Sequence, residues 1–317
     1  MKYCNVALRP EEKAMYELRS LYLGRGYRHY KVGKFEEYDL YASNKSFLKG
    51  DSILTFTDTD GKLMALKPDV TLSIIKNVGD DDTSMHKFFY NENVYRTSAS
   101  SGSFCEIMQT GLECIGNIDT EATCEVLTLA DESLGTISCD SLLALSHMGF
   151  ITGLFEECKL SAAQQTEALG YIASKNVFAL RAMAEKLRLF SELCEALVFV
   201  AKFYGKLSEA IKQMERFCFN EKMSEAYREL ESIAKALEGR RIYADFSLVN
   251  DMNYYNGIIF KGYINGIPES VLSGGRYDSL LHRMGKKSGA LGFAVYLDLL
   301  ERFYGDDGEV NILEKND

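Results

Sequence analysis

His86–Arg96, HKFFYNENVYR, and Glu106–Gly116, EIMQTGLECIG, decide how this chain folds. Both are alternating segments, and the loop that separates them, TSASSGSF, is polar and contains a glycine. Two strands around such a loop predict an antiparallel pair. A second pair lies upstream, where SILTFTD and KLMAL flank Thr59-Asp60-Gly61, a hairpin signal. Between the pairs, TLSIIKNV after Pro68 suits a helix.

On the N-terminal side, PEEKAMYELRSLYLGRG has Pro10 near its first turn, acids after it, and Gly24 and Gly26 past its end. It reads as a helix burying Met15, Leu18, Leu21 and Tyr22. Downstream, Glu121 to Leu134 is helical in period, and DSLLALSHMGF resembles another strand. From about Ile151 to Gly239 there is no proline and little glycine, and apolar residues recur three and four apart. Strand texture then returns in IYADFSLV, YYNGIIFKGYI and ESVLSGG. Sheet on both sides of a helical block implies an insertion. The expectation is one α+β domain over 1–317, its antiparallel sheet flanked by helices, with an all-helical insertion at about 151–239. GDDD near Asp80 reads as a solvated loop.

A chain of 317 residues, 46% hydrophobic, can bury a substantial core. Its net charge of −10 argues against a sequence-independent grip on nucleic acid, which needs a basic surface. A nucleotide or amino acid in a local pocket is compatible with it. Eight cysteines form no C-x-x-C pair, and with four histidines no zinc spacing appears, so no metal is expected. They read as buried, reduced thiols. No N-terminal apolar region and no membrane-length apolar run occur, which points to a soluble, cytoplasmic protein with no membrane partner.

Four constellations carry polar chemistry. In ALKPDVT, Asp69 and Thr71 would face the same way on an extended segment and accept from an ammonium group; the plainer reading is a helix N-cap set. In EIMQTGLECIG, Gln109 and Glu113 share one strand face with Ile107 and Ile115, and Gly111 leaves room between them. A buried carboxylate there needs a partner, which a ligand N–H would supply; an exposed sheet face is the alternative. In NDMNYYNGIIF, Tyr254 and Tyr255 would face opposite sides, one towards a pocket and one towards the core, beside Gly257. In VLSGGRYD, the Gly-Gly pair reads as a turn followed by Tyr277, and matches no phosphate loop or dinucleotide fingerprint.

The order of these signals resembles the catalytic domain of histidyl-tRNA synthetase, a class II aminoacyl-tRNA synthetase, over nearly the whole chain. Arg96 matches the motif 2 arginine, VLSGGRYD and NDMNYYNG match the two histidine-specific signatures, and a Gly-Phe-Ala helix follows. The resemblance places Asp69, Thr71 and Gln109 around a histidine ammonium. Glu113 and Tyr255 would bracket the imidazole, and Tyr254 and Tyr277 complete the pocket with Arg96. Positions that handle ATP in the family depart from it. The motif 3 arginine is Leu299, on a Val295, Tyr296, Leu299, Phe303 stripe that reads as core. A signature arginine is Asn250, and the motif 2 loop has Ser98, Ser103 and Cys105; Gly33 stands at the motif 1 proline. Losing several transition-state cations removes adenylate formation. No anticodon-binding domain follows LLERFYGDDGEVNILEKND, so tRNA recognition is not expected.

Pocket kept and catalyst dismantled is the pattern of the regulatory subunit of ATP phosphoribosyltransferase, a paralogue of the synthetase. That resemblance implies no catalytic residue and no cofactor of its own. It also implies a short-form catalytic subunit as partner, feedback by free histidine, and a dimer within a hetero-octamer. The alternatives are a truncated amino-acid-activating ligase and a stand-alone histidine-binding protein.

Overall fold

The computed structural model describes residues 8–48, 52–79, 85–97, 102–249 and 254–304. Cys4, the Asp80 loop, Ser98, Asn250 and the segment after Tyr304 lie outside them, as does the side chain of Phe303.

The strands are β1 (Arg28–His29), β2 (Phe35–Glu37), β3 (Thr55–Thr57), β4 (Leu63–Leu66), β5 (His86–Thr97), β6 (Phe104–Gly116), β7 (Ser141–His147), β8 (Tyr204–Lys206), β9 (Ile242–Asp245), β10 (Ile258–Ile264), β11 (Leu272–Arg276) and β12 (Gly289–Tyr296). Nine of them form one sheet, in the order β1-β5-β6-β12-β11-β10-β7-β9-β8, and β2-β4-β3 form a small second sheet. Both hairpins read from the sequence are present: β3 pairs antiparallel with β4, and β5 with β6 along its whole length. The large sheet is antiparallel except for β1 beside β5 and β7 beside β9.

The helices are α1 (Pro10–Gly24), α2 (Tyr38–Ala42), α3 (Thr71–Asn77), α4 (Thr120–Ile137), α5 (Met148–Glu157), α6 (Ala162–Ala173), α7 (Val177–Lys186), α8 (Ser191–Lys202), α9 (Leu207–Met214), α10 (Glu221–Ala236), α11 (Asp278–Arg283) and α12 (Leu297–Tyr304). Local chemistry starts several of them. Asp119 accepts from the Ala122 N–H at 2.8 Å and caps α4, Ser161 and Gln164 form a capping box at α6, and Asn220 accepts from Met223 N–H at α10. Asn220 also donates to the Gly153 carbonyl at 2.9 Å, joining α10 to α5.

α1 and α4 cover one face of the sheet. Tyr22 of α1 packs against Phe89 and Phe293, and its hydroxyl meets Ser133 of α4 at 2.9 Å. The opposite face of β5, β6 and β12 carries Tyr90, Gln109, Glu113 and Tyr296 among apolar neighbours such as Phe88, Val94 and Ile107. The chain from α5 to α10 connects β7 to its parallel neighbour β9.

Four local readings differ from the structure. The helical block begins earlier, with Met148-Gly149-Phe150 in α5, and β8 interrupts it to extend the sheet edge beside β9. Gly274 and Gly275 are no turn: they sit inside β11, where a Cβ at Gly274 would strike backbone and the Phe260 and Phe293 side chains. Gly292-Phe293-Ala294 is strand, and helix α12 starts at Leu297. Cys139 is exposed, although Cys114 and Cys158 are buried as expected.

Candidate functional site

Cross-strand register brings the site together. Residues facing each other on neighbouring strands project to the same side. One row runs Glu113, Gly292, Gly275 across β6, β12 and β11; the next runs Tyr90, Gly111, Ala294, Ser273 across β5, β6, β12 and β11. Three glycines thus leave a trench in the sheet, and three large side chains lie in it. A Cβ at Gly292 would overlap the Glu113 carboxylate, one at Gly111 the Tyr90 phenol, and one at Gly275 the Tyr255 ring. The room that Gly111 leaves between Gln109 and Glu113 therefore belongs to Tyr90.

All eight residues singled out from the sequence, Asp69, Thr71, Arg96, Gln109, Glu113, Tyr254, Tyr255 and Tyr277, line one pocket, with Tyr90 and Tyr296 among the further lining groups. Its cavity measures about 40 Å³, room for a few waters at most.

Glu113 is 3% exposed and already partnered. Thr71 Oγ1 donates to its Oε1 at 2.7 Å, and the Tyr277 hydroxyl donates to its Oε2. Glu113 is thus no part of an exposed sheet face, and two hydroxyls of the chain itself partner the group that the sequence reading left for a ligand N–H. Burial still pushes its pKa up to about 8, although both hydrogen bonds pull the other way, and the nearby Asp69 carboxylate adds to the rise. Tyr90, Tyr254, Tyr255 and Tyr277 are held well above the usual phenol range by burial, so they stand as neutral donors.

Asp69 and Thr71 are divided in their work. Asp69 Oδ1 accepts from Leu72 N–H at 2.9 Å in the first turn of α3, while its Oδ2 lies 3.8 Å from Arg96. Thr71 is the first residue of that helix, not part of an extended segment, and its hydroxyl turns to Glu113. The capping reading therefore holds for Asp69 and fails for Thr71. Arg96 Nε donates to the Pro68 carbonyl at 2.6 Å, fixing the approach to α3. Behind it, buried Lys67 meets Glu92 at 2.5 Å, and Glu92 also accepts from Val32 N–H.

Tyr254 and Tyr255 precede β10 in a turn, so strand alternation does not separate them. Their rings lie 4.4 Å apart, edge to face, on the same pocket. The turn is tied to α11: Asn256 donates to Asp278 Oδ2, Arg276 Nε reaches the same oxygen at 2.8 Å, and Asp278 Oδ1 accepts from Ala290 N–H. Gly257 does permit a close approach, by the Arg276 side chain.

Gln109 is 3% exposed, and its Nε2 has no hydrogen-bond partner. A buried N–H without an acceptor is costly. Here it leaves an unmet donor on a residue that lines the pocket. An amide turned half a revolution presents its oxygen instead, so the side chain can serve a carboxylate or an ammonium. The Asp69 carboxylate, the Glu113 carboxyl, one guanidinium and this amide form a donor and acceptor set suited to a zwitterion. Leu299 is 3% exposed within the apolar core, Cys105 donates to the Arg96 carbonyl, and Ser103 is also described. Among the described residues no group of three or more His, Cys, Asp or Glu is placed to hold a metal, and no helix is long and apolar enough to cross a membrane.

A sequence model of the histidyl-tRNA synthetase family matches residues 6–300. The ATP phosphoribosyltransferase regulatory subunit of Bacillus thuringiensis subsp. konkukian is 30% identical over 297 residues, 90% of this chain and 70% of that protein. The chain belongs to this synthetase-like family of regulatory subunits. The protein of the same name from Oceanobacillus iheyensis is 28% identical over 291 residues, again 90% of this chain and 71% of the relative. Among solved structures, the Bacillus halodurans ATP phosphoribosyltransferase regulatory subunit/histidyl-tRNA synthetase superposes with a TM-score of 0.81. That match is at 24% identity, over 95% of this chain and 80% of the other. The Nostoc histidyl-tRNA synthetase gives 0.76 at 17% identity, covering 93% of this chain and 72% of the other. The Thermotoga maritima ATP phosphoribosyl transferase (HisG:HisZ) complex gives 0.69 at 18% identity, over 90% and 97%. The class II synthetase-like α+β fold is common to the family.

Tyr90 escaped the sequence reading and Tyr296, read there as core, lines the pocket from the end of β12, although a signal for both was present. Once β5 and β6 are set in register, the mid-strand Gly111 faces Tyr90, and Gln109 faces Tyr296 on β12.

Proposed function

We propose that the chain is the non-catalytic regulatory subunit of ATP phosphoribosyltransferase. It acts with a short-form catalytic subunit in the first step of histidine biosynthesis, in the cytoplasm, as a dimer within a larger hetero-oligomer. Its curated relatives carry that name, and one solved relative in fold comes from an ATP phosphoribosyl transferase (HisG:HisZ) complex. In this reading the pocket around Glu113 binds free histidine and relays it as the feedback signal.

The observation that carries the pocket assignment is the unmet Gln109 N–H beside Glu113, Asp69 and Arg96. Histidine brings an ammonium for Asp69, a carboxylate for the amide and guanidinium, and an imidazole that hydrogen-bonds the Glu113 carboxyl. The 40 Å³ cavity is far below the roughly 300 Å³ of an ordinary ligand site, so entry opens it. Tyr254 is the side chain placed to move. It is half-buried, and among the described residues its ring meets those of Tyr255, Phe47 and Tyr277. Leu299, packed in the core where the synthetase family has a cation, supports a chain that makes no adenylate.

The test combines this chain with a short-form catalytic subunit and follows phosphoribosyl-ATP formation. Co-elution and raised turnover that histidine suppresses are expected; unchanged turnover without co-elution overturns the subunit reading. Histidine-dependent ATP–pyrophosphate exchange by the isolated chain would overturn the non-catalytic reading.

A further inference from the structure

Far along the chain from the pocket residues, α7, α8 and the turn after α9 enclose an open cleft of about 570 Å³, within the size range of small-molecule sites. Three elements each contribute a cation to its lining: Arg181 from α7, Lys202 at the end of α8, and Arg216 in the 3-10 turn Glu215–Phe217. Among the described residues none of the three has a carboxylate partner, although most arginines elsewhere are in ion pairs. One carboxylate, Glu195, also lines the cleft, leaving an excess of positive charge on a chain whose net charge is −10.

The cleft is preformed. Phe199 of α8 packs against Phe217 at 5.3 Å and Phe203 at 5.2 Å, fixing α8 to the turn that carries Arg216. The Arg216 guanidinium lies 4.4 Å from the Phe217 ring centroid, which restrains its orientation. Val198, Phe199 and Phe203 supply an apolar wall, and Ser191 and Gln213 neutral hydrogen-bonding groups.

We propose that this cleft is a second ligand site, for a small phosphate ester with an apolar or aromatic body. Isolated cations on helices are ordinarily solvated; these converge on one concavity with an apolar wall. Guanidinium forks match phosphate oxygens in pairs, and a lysine adds a point charge. A phosphate ion alone would leave the apolar wall and most of the volume unused. A nucleic acid would meet the acidic remainder of the surface.

Calorimetry on the full chain, with adenosine monophosphate, inorganic pyrophosphate and adenosine as probes, tests this without reference to the histidine pocket. Adenosine monophosphate should bind at micromolar to millimolar concentration, more weakly as salt rises, and adenosine should not bind. Arg181→Gln combined with Arg216→Gln should weaken binding by about tenfold or more, as lost charge-assisted bonds do. All three cations are exposed, so the melt and histidine binding of that variant should match the wild type. No heat from either phosphorylated probe at millimolar concentration, or equal affinity in the double variant, overturns the proposal.

Discussion

The pocket over β6 and β12 and helix α6 use glycine in opposite ways. In the pocket, Gly111, Gly275 and Gly292 are spaces already filled, by Tyr90, Tyr255 and Glu113. In α6, a Cβ at Gly170 would meet nothing within 4 Å. One region is built from cross-strand pairings between distant segments, and its Tyr90, Tyr255 and Glu113 side chains lie over glycines of neighbouring strands. The other is built from helices packed on nearby helices, and its surface tolerates change. Polar ligand chemistry demands the first kind of construction, because unpaired buried groups need partners at fixed places.

The largest expected effect follows from filling the trench. Gly292→Ala would drive a methyl into the Glu113 carboxylate and the Leu112 carbonyl of the facing strand. Overpacking combined with a displaced buried carboxylate should cost about 3 kcal/mol or more. Urea melts measure it, and a variant as stable as the wild type would show that the trench can widen.

A second effect, of up to a few kcal/mol, is set by pH. Glu113 has a pKa of about 8 in the fold against about 4.5 for an unburied glutamate, so the native state holds a proton that the unfolded chain releases. Its contribution to stability is complete below about pH 4.5 and is lost as pH rises towards 8. Glu113→Gln, which cannot ionise, removes that slope. Relative to wild type it should melt at a higher temperature at pH 8 than the difference at pH 5 would suggest. Parallel pH curves for the two proteins would contradict it.

The smallest effect lies in the helical run. Gly170→Ala should stabilise the chain by about 0.5–1 kcal/mol, since alanine costs less backbone entropy in a helix interior. Paired with Gly292→Ala, it sharpens the contrast: one methyl, opposite signs.

Much of this contrast was legible in the sequence, and the rest was hidden for physical reasons. Alternation in β5 and β6, and the turn at Thr59-Asp60-Gly61, reported the hairpins because side-chain period and turn chemistry are local. Gly274-Gly275 misled because a glycine needed for close packing across a sheet looks, in one dimension, like a glycine needed for a turn. Tyr254 and Tyr255 were assigned opposite faces on strand geometry that applies only from Ile258 onward. The three residues of β8 carry no strand signal of their own and pair only because β9 lies beside them. Glu113 and Gln109 were visible as a polar pair on one face. Which hydroxyls reach that carboxylate depended on α3 and α11 and could not be read from β6.

Histidine binding to the wild type and to Glu113→Gln, measured by titration calorimetry at neutral pH, tests most directly that the pocket is retained for its ligand. The account predicts measurable binding to the wild type and a loss of about 1–3 kcal/mol in the variant, the range for a lost partner in a buried hydrogen bond, with the fold intact. No binding to the wild type at millimolar histidine, or equal affinity in the two proteins, would contradict it.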